Sequence, residues 1–184
     1  MTILLVIFAV LVVFAAYLIV IYNSFVAKRN KVEEALSGID VILKKRFDLI
    51  PNLIESVKGY LNHEKETLSN IVNLRNQALG AKNPDEKLQL DKQLNNAVGT
   101  IFALAESYPD LKANTNFLSL QSELSEIETE IERSKRYYNG TVREYNIAVE
   151  SFPGNLVANS FGFPKKNFLE LQDESQRETP KVQF

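Results

Sequence analysis

The 184-residue chain has no cysteine, no tryptophan, one histidine and only seven glycines. Without cysteine it can hold no disulfide, thiolate zinc site or cysteine nucleophile, and it cannot carry a lipid on an N-terminal cysteine. The same absence leaves the redox compartment undetermined. Few glycines and no tryptophan suit a helical protein better than a β-rich one. A formal net charge of −2 and a pI near 5.6 give no electrostatic footprint for nucleic acid, so no nucleic-acid partner is expected. The single histidine, His63, is not followed by a second histidine four residues on, which excludes a metalloprotease helix. Tyr60 stands three residues before it, so the Glu-x-x-His pattern of di-iron bundles is also missing. A Ser-His-Asp set would have to use His63 on a helix with no strand-turn elbow nearby. His63 therefore reads as a surface or interhelical hydrogen-bonding residue. No catalytic residue, metal ligand or cofactor is expected.

Charge is absent from the first 27 residues; the first charged side chain is Lys28. Residues 3–21 are apolar and Tyr22 closes the run. At about 1.5 Å per residue, such a helix crosses a hydrocarbon core of roughly 30 Å. A cleaved signal peptide would want a basic start, a shorter apolar stretch and a small-x-small site. Met1-Thr2 is not basic, and Phe25 spoils the late site before Ala27. An uncleaved anchor is the better reading. Basic residues follow the span, at Lys28, Arg29, Lys31, Lys44, Lys45 and Arg46, and none precede it. The positive-inside tendency then puts the domain in the cytoplasm, with a short uncharged N-tail outside. The opposite topology stays open, because one span with a short tail is easily inverted. Tyr22, Lys28 and Arg29 are the expected membrane-interface residues.

Helical periodicity runs through the rest. Apolar residues at Val32, Leu36, Ile39, Leu43, Phe47, Ile50, Ile54, Val57, Leu61, Leu68, Ile71 and Leu74 fall mostly three or four apart. They predict one amphipathic face sustained to Gly80. Pro51 interrupts it, with Asp48 placed to cap a new helix, so a kink or a break is expected at residues 48–51. Asn83-Pro84-Asp85-Glu86 is a helix start that combines a cap, a first-turn proline and two acids at the positive end of the dipole. That helix carries Leu88, Leu94, Val98, Ile101, Phe102 and Ala105, and should end at Tyr108-Pro109. A last helix carries Phe117, Leu120, Leu124, Ile127, Ile131, Ser134, Tyr138, Val142, Tyr145, Val149 and Phe152, and ends at Pro153-Gly154. The acids between them, Glu123, Glu126, Glu128, Glu130 and Glu132, belong mostly to its wet face. The expected fold is all-α, a single N-terminal transmembrane helix followed by an antiparallel bundle of long helices. In domain terms, residues 1–22 are the anchor, 23–152 the bundle, 153–172 an apolar tail, and 173–184 a polar segment read as disordered.

Some polar residues lie on or beside the apolar faces: Arg46, Glu64, Arg75 and Glu106, together with Tyr137-Tyr138-Asn139 and Tyr145-Asn146. Of these, Arg46, Glu64, Arg75, Glu106, Tyr138 and Asn139 form the candidate polar set with Asp48. Two readings are open. One is a structural Arg–Glu network that fixes helix register, since buried charges are costly unless paired. The other is a partner or ligand surface.

Several stretches resemble the LemA family. They are Tyr22-Asn23-Ser-Phe-Val, Val32-Glu-Glu-Ala35, Ile39-Asp40 and Leu43-Lys-Lys-Arg46-Phe-Asp48-Leu-Ile-Pro51-Asn-Leu, then His63-Glu64. Glu106-Ser-Tyr108-Pro109-Asp-Leu-Lys-Ala113-Asn, Leu120-Gln-Ser-Glu-Leu124, Tyr138-Asn139, Tyr145-Asn146 and Phe152-Pro153 complete the set. The likeness runs in order through nearly the whole chain. It implies a bacterial membrane protein with an N-terminal anchor and a helical bundle, and it brings no established enzymatic activity. Some relatives are associated with organelle membranes in magnetotactic bacteria, and others are encoded beside membrane proteases.

Two functions compete on this reading. One is a non-enzymatic membrane-anchored scaffold or adaptor that self-assembles or recruits partners. The other is a ligand-binding or carboxylate-based enzyme bundle of unknown substrate. The expected partners are membrane lipid, further copies of the chain, and other membrane proteins. Self-association has two expected sources. The first is an exposed stripe from Val26 to Phe47 on the membrane-proximal helix. The second is the tail residues Leu156, Val157, Phe161, Phe163 and Phe168, which fold back on the bundle, dock on a neighbouring copy, or meet lipid with Lys165 and Lys166 near anionic headgroups.

Overall fold

The computed structural model describes residues 1–61 and 64–169. His63 and the segment read as disordered lie outside the described residues. Six helices follow in order: α1 (Thr2–Lys58), α2 (Lys65–Gly80), α3 (Pro84–Ala105), α4 (Pro109–Lys112), α5 (Thr115–Glu150) and α6 (Gly154–Phe161). No strand occurs among the described residues, and the fold is the all-α bundle expected. The chain divides into two compact units. One comprises Met1–Glu33 with the chain from Tyr137 onward; the other is Glu34–Arg136. Helices α1 and α5 contribute to both.

In the Glu34–Arg136 unit, α2 packs along α3, and α4 meets the end of α3. Asn83 caps α3 as its sequence suggests, with its side-chain oxygen accepting from the Asp85 amide at 3.0 Å. Asn114 does the same for α5, accepting from the amides of Asn116 and Phe117. The core is aliphatic: Ile39, Leu43, Leu53, Val57, Ile71, Leu94, Ile101, Ile127 and Ile131 are all buried. Each such side chain contributes about 1.5–3 kcal/mol when fully buried.

Several expectations are corrected here. The stripe predicted as one helix to Gly80 is two helices, α1 and α2, separated by a turn through Gly59. Both helices face one core, so the apolar spacing continues across the reversal and hides it. The membrane-proximal stripe is not left for a partner: Phe25, Val32, Ala35, Ile39, Leu43 and Phe47 are buried by the chain itself. Helix α5 ends at Glu150 and leaves Phe152 81% exposed, outside the core stripe. The tail has a helix of its own, α6, which buries Val157 and Ala158 and leaves Leu156 and Phe161 exposed.

Pro51 neither breaks α1 nor starts a new helix, and Asp48 pairs with Lys44 on the surface instead of capping. A proline at position 51 supplies no N–H to the carbonyl of Phe47. That carbonyl instead accepts from Arg75 Nε of α2 at 2.8 Å. A side chain from the next helix thus replaces the missing backbone donor, and α1 continues to Lys58.

Candidate functional site

Two polar constellations stand out, one in each unit. The first is centred on Arg46, which is 2% exposed. Its Nη1 donates to both carboxylate oxygens of Asp91 at 3.0 Å, and its Nη2 donates to Glu128. Arg46 Nε is buried and donates to nothing among the described residues. Asp91 is buried as well, whereas Glu128 keeps 39% of its side chain exposed. Burial pushes the Asp91 carboxyl above the usual carboxylate range; Arg46 and Lys135 pull against that shift and Glu128 adds to it.

The structure does not gather the rest of the candidate polar set at this centre. Arg75 satisfies the Phe47 carbonyl. Glu106 pairs with Lys112 at the surface. The backbone carbonyl of Glu64 accepts from the Leu68 amide at the start of α2. The acids that do meet Arg46, Asp91 and Glu128, stood outside the candidate set. Asp91 had a readable signal: it sits three residues after Leu88 and three before Leu94, on the apolar face of α3. Glu128 had none, being one of five similar acids between positions 123 and 132 of α5.

The second constellation holds an extended segment, residues 163–169, against α5. Asn139 donates its side-chain amide to the Leu169 carbonyl at 2.8 Å and accepts from the Leu169 amide at 2.9 Å. Asn146 does the same with Lys166, at 2.9 Å in both directions. Tyr138 and Tyr145 donate their hydroxyls to the carbonyls of Asn167 and Pro164 at 3.1 and 3.0 Å. The spacing explains the fit. Two asparagines seven apart on a helix are separated by about 10 Å, and three residues of extended chain also span about 10 Å. Side-chain amides thus read the main chain of the segment, while buried Phe163 and Leu169 anchor its two ends. Burial raises the pKa of Tyr145 above its ordinary 10.0, so its hydroxyl remains a donor throughout the neutral range. The segment is reached through Gly162, whose φ of 71° lies in the left-handed region that favours glycine.

The expected interface residues sit beside that segment. Tyr22 meets the rings of Phe161 and Phe163 edge-on at 5.2 and 5.4 Å, and Arg29 lies over Phe163 at 5.6 Å. Lys28 is half-buried.

Two surface grooves lie in the Glu34–Arg136 unit. One, of about 520 Å³, is lined by Ile54, Leu61, Leu68 and Val72, with Lys58 and Lys65 at its edge. The other, of about 620 Å³, is lined mainly by Gln77, Gln89 and Gln93, with Glu86 as its acid. Neither joins a pair of carboxylates to a nucleophile. Among the described residues no three metal-ligating side chains come together.

A family model described as the LemA family matches residues 35–184. The chain belongs to the LemA family. Among its relatives, protein LemA of Metamycoplasma hominis is 31% identical over 137 residues, covering 74% of this chain and 63% of the relative. The chain therefore spans less than two thirds of that relative's length. Magnetosome protein MamQ 2 of Paramagnetospirillum magneticum is 24% identical over 195 residues, covering 92% of this chain and 71% of the relative. Magnetosome protein MamQ of Magnetospirillum gryphiswaldense is 22% identical over 185 residues, covering 86% and 68%. None of these names is that of an enzyme. With α1 long and apolar enough to cross a membrane, this LemA-family chain is a membrane-associated helical protein of bacterial type.

Proposed function

We propose that the chain is a non-enzymatic, membrane-anchored scaffold or adaptor that self-assembles or recruits partners at the bacterial cell membrane, with its bundle on the cytoplasmic side. The observation that carries this reading is the clasp on α5. Its conspicuous polar side chains are spent on binding the backbone of an extended segment, a recognition mode suited to holding peptide rather than converting substrate. The same segment of a second copy offers the same backbone and the same Phe163 and Leu169 anchors, and Gly162 provides the hinge. Exchange of identical elements between copies is a low-cost route to assembly. The MamQ relatives, named as magnetosome proteins, favour a role in membrane organisation over catalysis.

Light scattering of the detergent-solubilised full-length chain across micromolar concentrations tests the assembly. Concentration-dependent oligomers are expected, and they should diminish when Asn139 and Asn146 are both replaced by Ala. A monomer at every concentration removes the self-assembly mechanism. Protease added to intact spheroplasts should leave the domain uncut; digestion without lysis reverses the orientation.

A further inference from the structure

The clasp leaves one apolar surface of its unit uncovered. Helix α6 packs closely on the bundle through Gly154: a Cβ there would come within 2.5 Å of the Ala148 carbonyl oxygen and 3.1 Å of the Phe25 ring. Val157 and Ala158 are buried on the same side. Leu156, 59% exposed, lies on the opposite face of α6 from Gly154, Val157 and Ala158; Phe161, equally exposed, sets its ring edge-on against Tyr22 of α1, and Phe152 before the helix is more exposed still. Three large apolar side chains on about ten residues are costly in water, so something covers them.

The position of α6 identifies the cover. Tyr22 closes the apolar run of α1, and its ring is 5.2 Å from that of Phe161. A tyrosine ending a span sits at the headgroup level, where its ring is in apolar surroundings and its hydroxyl is wet. Phe161 is therefore held at that same level. We propose that α6 is an interfacial helix, lying on the bilayer with Phe152, Leu156 and Phe161 inserted at the headgroup–acyl boundary. Arg29, stacked over Phe163, and Lys28 occupy the adjacent headgroup zone, as cations beside an interfacial helix do. The bundle is thus attached at two points, the span and α6. A span alone would leave the tilt of its unit against the bilayer free; the second contact restricts that tilt. The inference rests on reading residues 3–21 as the span, and it does not depend on self-assembly.

The absence of native tryptophan makes a clean test possible. Four single-tryptophan forms of the full chain, Phe14→Trp, Leu156→Trp, Phe161→Trp and Tyr137→Trp, are reconstituted in phosphatidylcholine–phosphatidylglycerol vesicles with and without brominated acyl chains. Tyr137 is exposed on α5. Taking the level of the Lys31–Glu144 pair as the reference, it lies about 24 Å beyond Tyr22 at 1.5 Å per residue. Phe14→Trp should be quenched strongly by bromolipid. Leu156→Trp and Phe161→Trp should be blue-shifted, quenched by shallow bromines and shielded from iodide. Tyr137→Trp should be quenched by iodide alone. Iodide quenching at both α6 positions with bromolipid quenching at Phe14→Trp overturns the interfacial helix and leaves the span intact. Shielding from both quenchers means that protein covers α6, and it also overturns the proposal. Loss of bromolipid quenching at Phe14→Trp as well overturns the span with it.

Discussion

Replacing Arg75 tests whether one side chain is what allows α1 to pass through Pro51. The carbonyl it serves belongs to Phe47, a residue 1% exposed. An unsatisfied buried carbonyl costs about 1–3 kcal/mol, and a hydrogen bond from a charged donor contributes about 1.5–3 kcal/mol. Arg75→Met keeps the aliphatic stem and removes the donor, so it should destabilise the fold by about 2 kcal/mol. Pro51→Ala restores an N–H four residues after Phe47 and removes the ring clash, a gain of up to about 3 kcal/mol for a helix interior. In that background the carbonyl has its backbone partner, and Arg75→Met should cost less than about 0.5 kcal/mol, the level of an ordinary surface change. The double-mutant cycle, measured by urea denaturation of the full-length chain in detergent and followed by far-UV circular dichroism, should give a coupling energy of more than about 1 kcal/mol. Equal cost of Arg75→Met in both backgrounds would refute the reasoning, because the arginine would then be stabilising something other than the orphaned carbonyl.

Further predictions concern the core. At 3.0 Å and an effective dielectric constant near 20, the Arg46–Asp91 attraction is about 5 kcal/mol, while burying the two ions costs several kcal/mol each. Arg46→Met alone should therefore cost about 3–5 kcal/mol, and Arg46→Met with Asp91→Leu should be neutral or stabilising by about 1–4 kcal/mol, since half-exposed Glu128 can turn to water; a double variant clearly less stable than the native chain would show that the pair is a net stabiliser. Because burial raises the Asp91 pKa above its ordinary 3.8, the folded chain retains a proton that the unfolded chain has released. This contribution to stability is fully present below the ordinary value and is lost as pH rises through the folded one. The stability of the native chain relative to Asp91→Asn should accordingly fall as pH rises above the ordinary carboxylate range in paired urea titrations, and a rise would reverse the assignment. Leu124→Ala, at a site only 6% exposed, should lower stability by about 2–5 kcal/mol in the same assay; a loss below about 0.5 kcal/mol would place Leu124 outside the core.

Local signals settled much of this protein. The 27-residue stretch without charge marks the part of α1 that is apolar enough to cross a membrane. The Asn83-Pro84 start places α3 within a residue, because caps and first-turn prolines act on the few bonds beside them. The three-and-four spacing from Phe117 to Val149 gives α5 and its buried face. Tertiary structure decided what spacing cannot carry. The apolar stripe of α1 continues in phase into α2, so only the packed structure reveals the reversal at Gly59. Pro51 looks like a breaker until Arg75 arrives from another helix to satisfy the carbonyl it orphans. Arg46 was visible as a charge on an apolar face, but its partners on α3 and α5 lie 45 and 82 residues away, and no local pattern selects Glu128 from its neighbours. The pairing of Asn139 and Asn146 with an extended backbone depends on the turn at Gly162 bringing residues 163–169 antiparallel to α5. Sequence settles what each residue prefers locally; which carbonyl or carboxylate it meets is set by long-range packing.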